Sequence, residues 1–239
     1  MNRPSPITRA LPFSMLLFSA CGGQQAADSR SPDTVAPEEQ PRERTMRASA
    51  EIGALDEAKV TAGFRSAQGS LKQCLDEGAS RIELIGGEIA FYLKVGSRGE
   101  VLHVHAENST IGDRETELCM FDALRVVSWP APVGGDVGIA RTSFDFDMPN
   151  DVRPPLVWDA GRVIDTMSQL DAELQECKHG YEGRFTATVY VDTEGSALSA
   201  SVTPPDEEGE ASIDCLVNVV RSAQYESPGS WPAKVMFTL

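Results

Sequence analysis

Two histidines, His103 and His105, stand two residues apart, and Glu107 follows at the same interval. On a β-strand, residues at that spacing share one face, so the three would offer two imidazole nitrogens and a carboxylate to one point. That donor set suits a divalent transition metal. The same spacing also describes the solvent face of an amphipathic strand with Leu102, Val104 and Ala106 turned inward, and the matching positions later in the chain are Ser199 and Ser201. The solvent-face reading is preferred, which leaves His103 and His105 as weak metal candidates with no metal or other cofactor expected. His179, beside Gly180, reads as a solvated loop residue. Asp206, Glu207, Glu208 and Glu210 carry oxygens that calcium favours, but the EF-hand spacing is absent and a solvated acidic loop is expected. Gly134-Gly135-Asp136 has the composition of a phosphate loop, yet no helix pattern follows it to supply a dipole. No GxSxG or HExxH motif occurs, so hydrolysis has no motif behind it and no catalytic residue is assigned.

The chain also carries five cysteines. Cys74, Cys119, Cys177 and Cys215 permit three disulfide pairings. Buried free thiols are the alternative, and the lack of any CxxC pair counts against zinc. The fifth, Cys21, ends a segment with the marks of an export signal. Arg3 and Arg9 make its start positive, and Ala10 to Ala20 is apolar apart from Ser14, Ser19 and the ring of Pro12. That run is too short to span a bilayer as a helix. Its end, Phe18-Ser19-Ala20-Cys21-Gly22-Gly23, is similar to a bacterial lipobox, with Phe18 where Leu is usual. The similarity implies that residues 1–20 are removed and that the Cys21 thiol accepts a diacylglyceryl group. Small Ser19 and Ala20 would then give the signal peptidase access. The alternative is an ordinary secretory signal with an incidental cysteine. Gly22 to Ala50 has few apolar residues and no period, so it cannot offset its ordering entropy. Residues 21–50 read as a lipidated, disordered tether with a reach of roughly 30 Å.

The elements that position the four remaining cysteines emerge from self-comparison. Val60, Phe64, Ala67, Leu71 and Cys74 are spaced 4, 3, 4, 3, one face of a helix, and Val163, Met167, Leu170, Leu174 and Cys177 repeat those spacings at an offset of 103. Each stretch leads to a strand pair. Ile89, Phe91, Leu93 and Val95 alternate before a turn at Gly99; Phe185, Ala187, Val189 and Val191 alternate before a turn at Gly195. Here the offset is 96, so the first stretch has seven extra residues, expected in the loop around Gly78 to Gly87. The 96-residue offset then matches Cys119 with Cys215, Leu124 with Val220, Arg125 with Arg221 and Trp129 with Tyr225 on a second helix. A last strand follows in each, over Ile139 to Phe146 and Lys234 to Leu239. The expected fold is α+β: two tandem repeats, each helix-strand-strand-helix-strand, with an antiparallel sheet covered by helices on one face. Repeat one spans 51–148, the linker 149–156, with Pro154-Pro155 stiffening it, and repeat two 157–239. The repeat selects the pairing Cys74–Cys119 and Cys177–Cys215, each tying helix one to helix two. The final strand, Val235 to Leu239, carries no charge after Lys234. It is a candidate open edge for strand addition, and equally a candidate interior strand.

Each copy resembles the AgmX/PglI C-terminal domain family, a relative of the TonB C-terminal domain. The first copy carries Cys74 at the end of helix one, then Gly86-Gly87-Glu88-Ile89-Ala90-Phe91-Tyr92-Leu93-Lys94-Val95 and Gly99-x-Val101. Asn108-Ser109-Thr110, Cys119, Trp129-Pro130-x-Pro132-x-Gly134-Gly135 and Phe144-x-Phe146 follow in order. The second copy is weaker, with Pro204-Pro205 in place of the Ser-Thr pair and no Gly-Gly after Trp231-Pro232. The resemblance covers roughly residues 53–148 and, weakly, 157–239. It implies the fold, an envelope location and a role in protein contacts, and it carries over no active-site residue.

The net charge is -15, about -17 once Arg3 and Arg9 are removed, which sets the protein against nucleic acid and anionic lipid headgroups. The reading is therefore a non-enzymatic cell-envelope lipoprotein, periplasm-facing or at the outer membrane. It would be held to the membrane by a lipid anchor, with envelope proteins as partners and an adaptor or structural role. The alternative is a small periplasmic enzyme or ligand-binding protein without a recognisable motif.

Overall fold

The computed structural model describes residues 50–149 and 151–239. The signal, Cys21 and residues 21–49 of the tether lie outside the described residues. The first half runs β1 (Ala50–Ile52), α1 (Glu57–Ala79), β2 (Gly87–Gly96), β3 (Val101–Ser109), α2 (Arg114–Arg125) and β4 (Gly135–Phe146). The second runs β5 (Leu156–Trp158), a 3-10 turn (Ala160–Val163), α3 (Ile164–Gln169), α4 (Asp171–Lys178), β6 (Thr186–Val191), β7 (Ala197–Thr203), a second 3-10 turn (Glu208–Ser212), α5 (Ile213–Ser222) and β8 (Ala233–Thr238).

Local chemistry fixes several of these limits. Asp56 and Asp113 cap α1 and α2 by accepting from the backbone N–H of Lys59 and Thr116, each at 3.1 Å. The two hairpin turns need glycine for a shared reason. Gly99 and Gly195 have φ of 83° and 89°, and a Cβ at either would strike the backbone oxygen of Trp129 or Tyr225 respectively. Those two aromatics in turn anchor themselves alike. Trp129 Nε1 donates to the Leu124 carbonyl at 3.0 Å, and the Tyr225 hydroxyl donates to the Val220 carbonyl at 2.7 Å.

Each half builds a four-stranded sheet, in the order β1-β4-β2-β3 and β5-β8-β6-β7. The expected antiparallel three strands are present in both. Each sheet gains a short leading strand, β1 or β5, that runs parallel to the last strand and makes the sheet mixed. Three residues are too few to show a period, which is why sequence pattern does not reveal them. They shift the boundaries: Ala50 leaves the tether and Leu156 leaves the linker. β8 is therefore not an edge over its first residues. Ala233 to Val235 pair with β5 on one side and β6 on the other.

Phe64, Leu71, Leu75, Ile89, Phe91, Leu93, Leu124 and Trp129 form the first core, between α1, α2 and one face of the sheet. Leu174, Phe185, Val189, Leu216 and Val220 form the second. The disulfides are Cys74–Cys119 and Cys177–Cys215, which join α1 to α2 and α4 to α5.

Two expectations about the helices change. The single helix expected over Val163 to Cys177 is broken into a 3-10 turn, α3 and α4. No residue of α3 is buried and no side chain caps α3 or α4. Short helices depend on packing, and in this segment Val163, Leu174 and Cys177 are buried in the second core while Met167 and Leu170 are only partly so. The extra residues of the first half are not a longer loop. α1 runs on to Ala79, five residues past Cys74, whereas α4 stops at Lys178, one past Cys177. β2 starts at Gly87, two before Ile89, whereas β6 starts at Thr186, one past Phe185. The insertion lengthens the helix and the strand, and the connecting loops are alike.

Candidate functional site

The helices cover one face of each sheet, as expected, but the other face of the second sheet is not open to solvent. Thr188, Tyr190, Ser199, Ser201 and Thr203 project from it and are buried. The first half covers them with the end of β3, the β3–α2 connection and α2. Thr188 Oγ1 donates to the Ser109 carbonyl at 3.2 Å, and Ser199 Oγ to the Gly112 carbonyl at 2.7 Å. Gly112 holds φ at 75° so that its backbone lies against the Tyr190 ring and Thr188; a Cβ there would enter that ring. The Tyr190 hydroxyl and Lys234 Nζ both donate to the Gly86 carbonyl, at 3.2 and 2.8 Å. Burial pushes the Lys234 ammonium down to about 8 and the Tyr190 hydroxyl up.

Glu117 is fully buried on α2 at this boundary, where it shares a closed crevice with Val202 and Ile213 of the second half. Burial pushes its carboxyl up to about 7, while the Ser109 hydroxyl, which donates to it, works in the opposite direction.

Contact runs the other way as well. The second 3-10 turn, Glu208–Ser212, brings the acidic loop onto the open face of β3. His103 Nε2 and His105 Nδ1 lie 3.0 Å apart. The Glu210 carboxylate faces both, at 3.4 Å from His103 Nε2 and 4.0 Å from His105 Nδ1. Glu207 pairs with Lys94 at 3.3 Å beside them. Asp206 shapes the loop by accepting from the backbone N–H of Glu208 and Gly209 and from the Tyr181 hydroxyl. Burial and then the neighbouring His103 ring push His105 down, and burial pushes the Glu210 carboxyl up.

This overturns the solvent-face reading of the histidine pair. His105 is buried, with its side chain 6% exposed, and the ring of Tyr92 packs against it at 4.8 Å. Glu107 does not join the histidines. Phe91 pairs with Ala106 and Ala90 with Asn108, so Glu107 is the extra residue of a β-bulge. Its carboxylate goes instead to Arg141 at 2.7 Å. Leu102, expected inward, is exposed. Nor is the acidic loop simply solvated, since it supplies the third side chain of the cluster. Glu210 could not be assigned from local spacing, being over a hundred residues from His105. One signal for the contact was present. Between its apolar residues, β6 and β7 carry Thr, Tyr and Ser with no charge, which suits a covered face better than a wet one.

The remaining feature is backbone. β1 pairs with β4 only at Gly135 and Val137. Gly53 N–H donates to the Val137 carbonyl, so the backbone groups of Val137 point away from β2. By strand alternation those of Ile139, Arg141, Ser143 and Asp145 do so too, and among the described residues no strand pairs with them. In β8 the corresponding outward residues are Met236 and Thr238. Phe237 faces β6, because Leu239 N–H donates to the Phe185 carbonyl. Comparison with known proteins supplies no relative: no family model, no curated protein and no solved structure matches the chain.

Proposed function

We propose that the protein is a non-enzymatic lipoprotein of the cell envelope, anchored through Cys21. In this reading it serves as an adaptor that takes an extended segment of a partner envelope protein as an added strand. The two halves would be duplicated copies of one domain of the AgmX/PglI C-terminal, TonB-like kind. The observation that carries the reading is the long outer edge of β4, unpaired among the described residues, where four residues present backbone N–H and C=O groups beyond the short β1. Asp145 on that edge guards it against indiscriminate pairing and offers a charge for a chosen partner to meet, while Arg141 is held by Glu107. The two disulfides support export to an oxidising compartment. Two sheets with the same strand order, and equivalent anchoring of Trp129 and Tyr225, support duplication.

The test is crosslinking in envelope fractions with a photoreactive residue at position 145. Ser143→Pro deletes an outward N–H and leaves the β2 ladder whole, so the domain should fold while the crosslinked band is lost. Thr142→Pro removes an N–H that bonds β2 and should unfold the domain. Cys21→Ser should move the protein out of the membrane fraction and weaken the same band. A Ser143→Pro variant that folds and crosslinks like wild type would sink strand addition at this edge. Unchanged membrane partition of Cys21→Ser would sink the anchor.

A further inference from the structure

We propose that His103, His105 and Glu210 form a divalent transition-metal site, with zinc as its reference ion, that clamps the two halves of the protein together. The ligands come from different halves, two from β3 and one from the Glu208–Ser212 turn, and their donor atoms all lie within 4.8 Å of one another. Zinc held at about 2.0–2.1 Å by nitrogen and oxygen keeps its tetrahedral ligands roughly 3.3–3.4 Å apart. The two nitrogens are 3.0 Å apart, Glu210 Oε2 stands 3.4 Å from His103 Nε2 and Glu210 Oε1 stands 4.0 Å from His105 Nδ1, so the carboxylate lies just outside that edge. Bringing one Glu210 oxygen to that edge from both nitrogens takes a shift of at most about 1.5 Å, which rotation of the carboxylate and movement of the 3-10 turn can supply.

The chemistry of the donors narrows the ion. Two imidazoles and one carboxylate suit zinc, nickel or copper, whereas calcium and magnesium want oxygens throughout. Access is adequate. His103 and Glu210 are 16% and 30% exposed at their side chains, while His105 forms the inner wall. The fourth position is therefore left to solvent. The neighbouring cations do not oppose an ion, since each has its own carboxylate. Lys94 pairs with Glu207, Arg114 with Asp214, Arg125 with Asp122 and Arg141 with Glu107. Both sides of the site have a support. Tyr92 packs on the His105 ring, and Asp206 ties the acidic loop through its three hydrogen bonds.

The experiment titrates zinc chloride into the full chain, purified without a histidine tag and stripped with chelator, by calorimetry. A parallel thermal melt is run with and without zinc. One zinc per chain and a higher melting temperature with zinc are expected. His103→Ala and Glu210→Gln, both at the open rim and so compatible with folding, should each weaken binding by at least about tenfold and abolish the thermal shift. Glu107→Gln, which touches Arg141 and not the cluster, should bind like wild type. Absence of saturable binding would overturn the proposal. So would binding that survives both His103→Ala and Glu210→Gln, or that Glu107→Gln weakens as much.

Discussion

Glu117 makes the boundary between the halves sensitive to pH, and the direction can be worked out. Its carboxyl has no solvent access, and burial raises it from 4.5 to about 7. Below the lower value the group is neutral in both folded and unfolded chains. Between 4.5 and about 7 the folded protein keeps a proton that the unfolded chain has released, so the folded state binds more protons. Stability therefore falls as pH rises through that window and levels off above it. At 1.36 kcal/mol for each pH unit the whole effect is about 3 kcal/mol, of which roughly 2–3 falls between pH 5 and pH 8. Glu117→Gln keeps the shape and the oxygen that accepts from Ser109 but cannot ionise. It should be close to wild type in stability near pH 5 and more stable than wild type by about 3 kcal/mol at pH 8. Urea unfolding at pH 5, 6, 7 and 8 with disulfides intact measures the difference. His105 acts with the opposite sign: its lowered value makes stability fall as pH drops below 6.5. That contribution is present in both proteins and cancels in the comparison. A gap between variant and wild type that does not change with pH, or a variant that loses stability at pH 8, would refute the reasoning.

Cys177→Ala and Cys74→Ala each open a loop, of 38 and 45 residues respectively, and chain entropy puts both losses near about 4 kcal/mol, to be read from denaturant midpoints. A loss below about 1 kcal/mol in either would mean that the bond is not what closes that half. Gly112→Ala should cost about 1–3 kcal/mol, because the residue sits at φ 75° and its new methyl enters the Tyr190 ring. Thermal melts together with limited proteolysis of the β3–α2 connection would register it, and an unchanged melt would mean that the halves can separate freely there.

What could be read from the chain and what could not divide along physical lines. The helix and strand patterns, the hairpin glycines and the cysteine pairing depend on spacings within one half, and those spacings are periodic or repeated. The pairing in particular needed no structure once Cys119 and Cys215 stood at one offset and Cys74 and Cys177 at another, each within matched helices. β1 and β5 escaped because three residues carry no period. The break at Leu170 escaped because the spacing of Val163 to Cys177 fits a helix and says nothing about whether a partner surface exists to hold it. The histidine cluster was legible only in part. Its pattern on β3 named two of its side chains and suggested Glu107 as the third. A bulge turned Glu107 aside, and its place is taken by Glu210 from the other half.

That outcome also separates the roles of the two halves. They share a strand order, yet they use the face away from the helices differently. In the second sheet this face carries Thr188, Ser199, Ser201 and Thr203 together with Tyr190 and the partly buried Lys234, and the first half covers it. In the first sheet it carries Tyr92, Lys94, His103, His105 and Arg141, and the second half reaches β3 and Lys94 of β2. The open β4 edge, the Arg141–Tyr92 stack at 4.7 Å and the histidine cluster consequently all belong to the first half. The second half contributes Glu207 and Glu210, and the packing that holds β3 and α2 in place. A sheet whose second face is already covered has little left to offer a partner. The aromatic and the charged side chain on the facing side of the second sheet, Tyr190 and Lys234, are already committed to the Gly86 carbonyl of the first half.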